Sequence, residues 1–322
     1  VSRSALQNDG FVHKISDYIS KKVADKLSGM CKTDKESYIK YWDDISTFIK
    51  FGCLKDEKFC DKMSDYILFK NIDHDYLTLK ECIEKNSPAK EVAEETPSTE
   101  TAEENTSDHS DNDADAKEPE KVTIYYVTDE QQQSQYINMF KEEGLDAVLL
   151  THNIDSPFIT QLEQRNENVQ FQRIDADLTD HFKEEVAKEE EETFKSNTET
   201  LTAIFRKALN NEKLEVKVEK LKNENVASMV TLSEQSRRMQ EMMKMYNMYG
   251  MDAGMFGTDV TLVLNANHPL VQYVLNNKDG EHVNLFCQQL FDLAMLSNKP
   301  LNPEEMTAFI SRSNEIMMLL TK

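Results

Sequence analysis

The 322 residues are expected to form an α/β region followed by an α+β region: a helical layer, then a small parallel-sheet α/β/α unit, then a C-terminal α+β domain. Three observations carry that expectation. Apolar residues recur at helical spacing up to residue 86; the pattern becomes β-α-β-α-β from residue 121; and short alternating runs after residue 193 give way to two long amphipathic stripes at the chain end. The expected segments are therefore residues 1-86, 87-120, 121-192 and 193-322.

In the first segment Val12, Ile15, Ile19, Val23 and Leu27 mark one amphipathic helix, after a polar opening in which only Leu6 is strongly apolar. Tyr38, Trp42, Ile45, Phe48 and Ile49 mark a second, with Gly52 placed to end it in a left-handed cap. Phe59, Met63, Tyr66 and Ile67 suggest a third, and Thr78 with Glu81 forms a capping box before a short fourth.

Residues 87-120 contain twelve acidic residues, two lysines and three prolines, and almost nothing apolar. Such a stretch cannot bury enough surface to offset its ordering entropy and is expected to be a disordered insertion.

Beyond it, Val122 to Val127 is a continuous apolar run, expected as a buried strand. A helix with Ile137 and Phe140 on one side ends at Gly144, and Ala147 to Leu150 is a second strand. Ser156-Pro157 offers an N-cap and a first-turn proline for a helix through Leu162, and Val169, Phe171 and Ile174 close the unit. Three strands alternating with helices imply parallel pairing with right-handed crossovers. The loop after the first strand, Thr128-Asp129-Glu130-Gln131, lacks the glycines that let backbone amides approach a phosphate. Asp129 and Glu130 leave a metal-dependent acid site open as an alternative to simple helix capping.

The charged stretch from Lys183 to Glu192 leads into a helix with Leu201, Ile204, Phe205 and Leu209, expected as a rigid connector. Leu214, Val216, Val218, then Val226, Ser228, Val230, and the run Thr261 to Leu264 predict a mainly antiparallel second sheet. Pro269 to Leu275 is a short helix. Phe286, Leu290, Leu293 with Val283 and Leu296, then Phe309, Ile310, Ile316, Met317 and Leu320 with Met306, stripe two long helices joined by Asn298-Lys-Pro-Leu-Asn302. A helical hairpin at a chain end has an outer face to cover. Pairing with a second copy as a four-helix bundle would cover it, as would packing on the second sheet.

Seven of the fifteen methionines fall between Met239 and Met255. Met239, Met242, Met243 and Tyr246 follow i, i+3, i+4, i+7 spacing, and glycines at 250, 254 and 257 follow. The stripe reads either as core filling or as an adaptable surface for partners of varied shape, because an unbranched thioether remodels easily.

A net charge of -22 argues against nucleic acid, since little basic surface is available to displace counterions from phosphates. No apolar run approaches the length of a membrane-spanning helix, and no secretory signal pattern opens the chain. Cys31, Cys53, Cys60, Cys82 and Cys287, without a Cys-x-x-Cys pair, are expected as reduced thiols in a cytoplasmic protein, with no metal site. Val1 in first position is expected of a fragment.

Val1-Ser-Arg-Ser-Ala-Leu-Gln7, Phe48-Ile-Lys-Phe-Gly52, Lys121-Val-Thr-Ile-Tyr-Tyr-Val127, Gly144-Leu-Asp-Ala-Val-Leu-Leu150 with Ile154-Asp155, and Asn265-Ala-Asn-His-Pro-Leu-Val271 carry a resemblance. In this order the chain resembles the heat-shock protein 90 chaperones of the bacterial HtpG type. The resemblance implies a fragment holding the lower middle domain and the C-terminal dimerisation domain of an ATP-dependent, homodimeric chaperone. ATP with Mg2+ would be bound by an N-terminal domain outside this sequence, and none by the fragment. Arg3 would then reach the γ-phosphate, supported by Gln7. Clients would bind at Met239, Met242, Met243, Tyr246 and Phe158, and the tail helices would dimerise. Without a Met-Glu-Glu-Val-Asp ending, docking of tetratricopeptide co-chaperones is not expected. A purely structural dimerisation adaptor is the remaining alternative.

Overall fold

The computed structural model describes residues 10–86, 121–176, 182–184, 186–187, 190–234, 238, 260–298, 300–319 and 321. Within them the fold is a mixed α/β one, and no helix is long and apolar enough to cross a membrane.

Helices α1 (Gly10–Thr33), α2 (Lys35–Lys55), α3 (Glu57–Met63) and α4 (Leu79–Asn86) build the helical layer. Asp34 caps α2 by accepting from the Ser37 amide at 3.1 Å. Tyr38, Trp42 and Ile49 on α2 are buried, as the spacing predicts, but Phe48 is 76% exposed. It lies one position off the inward stripe. On α1 the predicted stripe divides: Val12, Ile15, Ile19 and Val23 are exposed, while Leu27 packs on the core.

Gly52 does not end α2, which runs on to Lys55; Asp56 then caps α3, accepting from the Lys58 and Phe59 amides. What requires glycine at 52 is space, since a Cβ there would sit 2.9 Å from Cε1 of Phe59. The capping box at α4 forms as expected, with the Thr78 amide donating to Glu81 at 2.7 Å and the Glu81 amide to the Thr78 hydroxyl at 3.3 Å. A two-stranded antiparallel hairpin, β1 (Leu68–Lys70) with β2 (Tyr76–Thr78), has no counterpart in the sequence reading. Three-residue strands are too short to show alternation.

The parallel unit has β3 (Val122–Val127) at its centre between β4 (Ala147–Leu149) and β5 (Val169–Arg173). Helices α5 (Ser134–Glu142) and α6 (Asp155–Arg165) make the crossovers. Helix α5 ends at Glu142, two residues before the Gly144 expected to close it, and Gly144 takes φ +68, a left-handed conformation that glycine adopts without strain. Helix α6 begins at Asp155, so Ser156 is inside the helix instead of capping it.

The second sheet places β8 (Val260–Asn265) between β6 (Glu215–Glu219) and β7 (Ser228–Leu232). It is mixed, not mainly antiparallel: β8 returns between the earlier strands, parallel to β6 and antiparallel to β7. Helix α7 (Glu191–Ala208) is no connector, because Leu201, Phe205 and Ala208 are buried in the same core as β6, β7 and β8. Helix α8 (Pro269–Asn276) and α9 (Val283–Leu296) complete that core, and α10 (Pro303–Leu319) lies along α9. The five cysteines are unpaired, Cys31 half-buried and the other four buried.

Candidate functional site

A third apolar core joins the two sheets. Val127, Tyr136, Met139, Phe140 and Ile174 of the parallel unit pack with Leu221, Val226, Met229 and Val263 of the second sheet. The Tyr136 hydroxyl donates to the buried Val230 carbonyl at 2.8 Å, and Asn223 donates to Glu142 at 2.7 Å. Asn265, fully buried, accepts from the Leu221 and Asn267 amides and donates to the Asn223 and Val226 carbonyls. Its amide group satisfies a loop that apolar side chains could not, and so holds β8 against the turn before β7.

Where the chain leaves β7, an ionic hub ties it to the parallel unit. Glu234 accepts from the Tyr126 hydroxyl at 2.8 Å, the Arg173 amide at 3.0 Å and Arg238 Nε at 2.8 Å. The Arg238 guanidinium spans the Glu163 carboxylate with bonds of 2.6 and 2.9 Å and donates to the Phe171 carbonyl at 2.9 Å. Burial works against its charge, but the hydrogen bonds and charges of Glu163 and Glu234 outweigh it and hold its pKa above the ordinary arginine value. The sequence reading missed this hub, although Glu234 and Arg238 stand at the i, i+4 spacing of a helix ion pair.

Of the predicted client residues, Met239, Met242, Met243 and Tyr246 lie outside the described residues, as do Arg3, Gln7 and Leu320. Phe158 is described and overturns its assignment. It is 0% exposed, inside the core with Ile159 and Leu162, and the Lys50 ammonium lies 6.0 Å from its ring centroid. The phase of α6 turns 155, 158, 159 and 162 inward, so Phe158 packs the fold and offers clients no surface.

The predicted dimer residues divide. Leu290 is 2% exposed and belongs to the chain's own core, a correction that follows from α9 packing on β7. Phe286 is half-buried and meets the Tyr273 ring edge-on at 5.1 Å. Leu293, Ile310 and Met317 are exposed, while Phe309 and Ile316 are half-buried. Helix α10 has no buried residue. It is held to α9 through polar contacts, Arg312 donating to Gln288, Gln289 and Asp292 and Gln289 to the Ser313 hydroxyl. Met318, exposed like Met317, adds an apolar side chain the sequence reading did not single out.

Asp129 caps the turn before α5, accepting from the Gln131 and Gln132 amides at 3.0 Å each, while Glu130 faces His74 at 3.8 Å. Among the described residues no group of three or more His, Cys, Asp or Glu side chains is arranged to hold a metal. A 350 Å3 concavity between α7 and β6 is lined by Phe194, Val216 and Val218 with Glu191, Lys195 and Glu219.

The Hsp90 protein family model matches residues 1–93 and 95–322. A chaperone protein HtpG of Bacteroides fragilis strain YCH46 is 33% identical over 291 residues, 87% of this chain and 38% of the relative. One from Porphyromonas gingivalis ATCC 33277 is 31% identical over 291 residues, 86% of this chain and 37% of the relative. One from Bacteroides thetaiotaomicron is 30% identical over 289 residues, covering 87% of this chain and 38% of the relative. The chain therefore spans less than half the length of these relatives. With a family match that runs through both sheets and the terminal helix pair, the chain belongs to the Hsp90 protein family.

Proposed function

We propose that the chain is the client-holding and dimerising part of an ATP-driven chaperone that works as a homodimer. The observation that carries the reading is the terminal helix α10: seventeen residues without one buried side chain, with Ile310, Met317 and Met318 exposed on it and Leu293 exposed on α9. Isolated monomers seldom leave a terminal helix without any buried side chain, and a twin hairpin would cover it in a four-helix arrangement. The relatives from Bacteroides and Porphyromonas are named chaperone proteins, which supports the same reading.

In this reading the stretch from Met239 to Tyr246 holds unfolded polypeptide, each dimer offering two copies of it. Weak, adaptable contacts from methionine suit clients without a fixed shape. ATP with Mg2+ would be bound by residues outside this chain, and Arg3, backed by Gln7, would neutralise charge on the γ-phosphate held there. Work of this kind is expected in the cytoplasm, on unfolded or partly folded proteins and without nucleic acid.

The test is aggregation of a thermally unfolded client in the presence of the chain. Glutamine at Met239, Met243 and Tyr246 together is expected to abolish most of the suppression while the dimer mass stays the same. A variant that still suppresses fully would leave only a dimerisation adaptor.

A further inference from the structure

We propose that the outer edge of β6 holds an extended segment of unfolded client polypeptide, which joins the second sheet as a further strand; the client-holding reading given above is presupposed. The sheet order is β6-β8-β7, so one side of β6 faces β8 and the other faces away from the sheet. Along a strand the residues' backbone groups point alternately to its two sides. The Glu219 carbonyl accepts from the Ala266 amide at 2.8 Å and so faces β8, whereas the Lys220 carbonyl accepts from the Glu184 amide at 2.8 Å on the outer side. By that alternation the amides and carbonyls of Val216 and Val218 also point outward.

Nothing among the described residues bonds to these outward groups. Yet Val218 is only 6% exposed and Val216 is half-buried, and a backbone amide or carbonyl on a covered residue is costly to leave unmade. Both residues border the 350 Å3 concavity, whose apolar wall is completed by Phe194 of α7 and by Val186. Lys217 and Glu219 line it too. Successive side chains of a strand stand on opposite faces of the sheet, so a concavity touched by four consecutive residues, 216 to 219, runs along the strand's edge.

A few residues further on, the same edge already takes a strand. Residues 182–184 run antiparallel to it, Lys183 bridging Leu221 and the Lys222 amide bonding the Phe182 carbonyl at 3.1 Å. That pairing is an isolated bridge, and it leaves the Val216 and Val218 rungs open. A small apolar molecule could fill the concavity without meeting those rungs, whereas a second main chain brings a donor and an acceptor at their spacing and sets alternate side chains against Phe194 and Val186. An unfolded client carries such a main chain along its whole length. Main-chain pairing reads little of the sequence, which suits a holder of varied clients.

The experiment uses the full chain and two fluorescein-labelled probes followed by anisotropy. Reduced and carboxymethylated α-lactalbumin, a permanently unfolded polypeptide, shows whether the chain holds clients at all. A short peptide alternating valine and threonine reads the edge. Val216→Pro removes one outward amide and spares the bonds to β8, a change that an edge strand tolerates. It is expected to weaken peptide binding about fivefold, the value of one backbone hydrogen bond, with circular dichroism unchanged. The same peptide N-methylated at every backbone amide keeps its side chains but cannot pair, and should bind the parent chain at least about tenfold more weakly.

No binding of the unmethylated peptide, binding unchanged in a folded Val216→Pro, or equal affinity for the N-methylated peptide overturns the inference, and α-lactalbumin binding by the parent chain then leaves the client-holding reading standing. If the parent chain does not bind α-lactalbumin, that reading fails and takes this inference with it. Should Val216→Pro not fold, the N-methylated peptide decides, because it needs only the parent chain.

Discussion

Lys50 Nζ lies 2.5 Å from Asp155 Oδ1, with the two side chains 7% and 3% exposed. The pair joins α2 of the helical layer to the first turn of α6, and the second Asp155 oxygen accepts from the His152 amide at 2.9 Å. Two ions out of water are tolerable only while each neutralises the other. Lys50→Met should therefore cost about 3–5 kcal/mol by denaturant unfolding, because Asp155 is left charged and buried. Lys50→Met with Asp155→Leu should recover much of that loss; a double variant no more stable than the single one would show that the contact is not what matters.

Gly52 and Phe59 make a second testable pair. Alanine in a helix interior normally gains about 1 kcal/mol over glycine. Here its Cβ would come 2.9 Å from the Phe59 ring, and overpacking of that kind costs about 1–3 kcal/mol. Gly52→Ala is expected to destabilise the chain, and to stabilise it instead in a Phe59→Leu background, where the ring is gone. Thermal midpoints of the four proteins read the sign change directly.

His268 gives stability a pH dependence. Its Nδ1 caps α8 by accepting from the Leu270 amide at 3.1 Å, which only an unprotonated nitrogen can do, and burial lowers its pKa from 6.5. A lowered pKa means that the folded state binds the proton less readily than the unfolded one. The contribution is thus complete above pH 6.5 and is lost as pH falls through the folded value. His268→Asn keeps the cap and should flatten that part of the unfolding profile, while His268→Ala should cost about 1 kcal/mol at neutral pH.

The terminal helices predict a change of mass. Ile310→Glu with Met317→Glu puts charge on two side chains that are 52% and 56% exposed, so the chain's own fold should barely respond. A bundle with a second copy would bury both charges unpaired and should come apart. Light scattering is expected to report the mass of one chain for the variant and of two for the parent. Equal masses would remove the dimer from the proposed function.

Particular residues show what could be read in advance. Val122 to Val127 was legible as a buried strand because a strand covered on both faces is mostly apolar, and the crossovers left parallel pairing as the economical solution; that it is the central strand came only from the structure. The Thr78 and Glu81 capping box was legible because both partners lie within one turn. Leu290 and Phe158 were misassigned for the opposite reason. Spacing put Leu290 on an apolar stripe and the resemblance put Phe158 among the client residues, but neither tells a partner surface from a core, and only the covering elements distinguish them.

By itself the sequence determined the elements with strong periodicity, the acidic break between residues 87 and 120, and the family, since each depends on neighbouring residues or on order along the chain. Tertiary structure alone decided that β8 runs parallel to β6, that α7 is a core helix, and that Arg238 meets Glu163 across 75 positions. Hydrophobic patterning says which face seeks cover. It carries no information about which distant backbone arrives to provide it, or which charges that arrival brings within bonding distance.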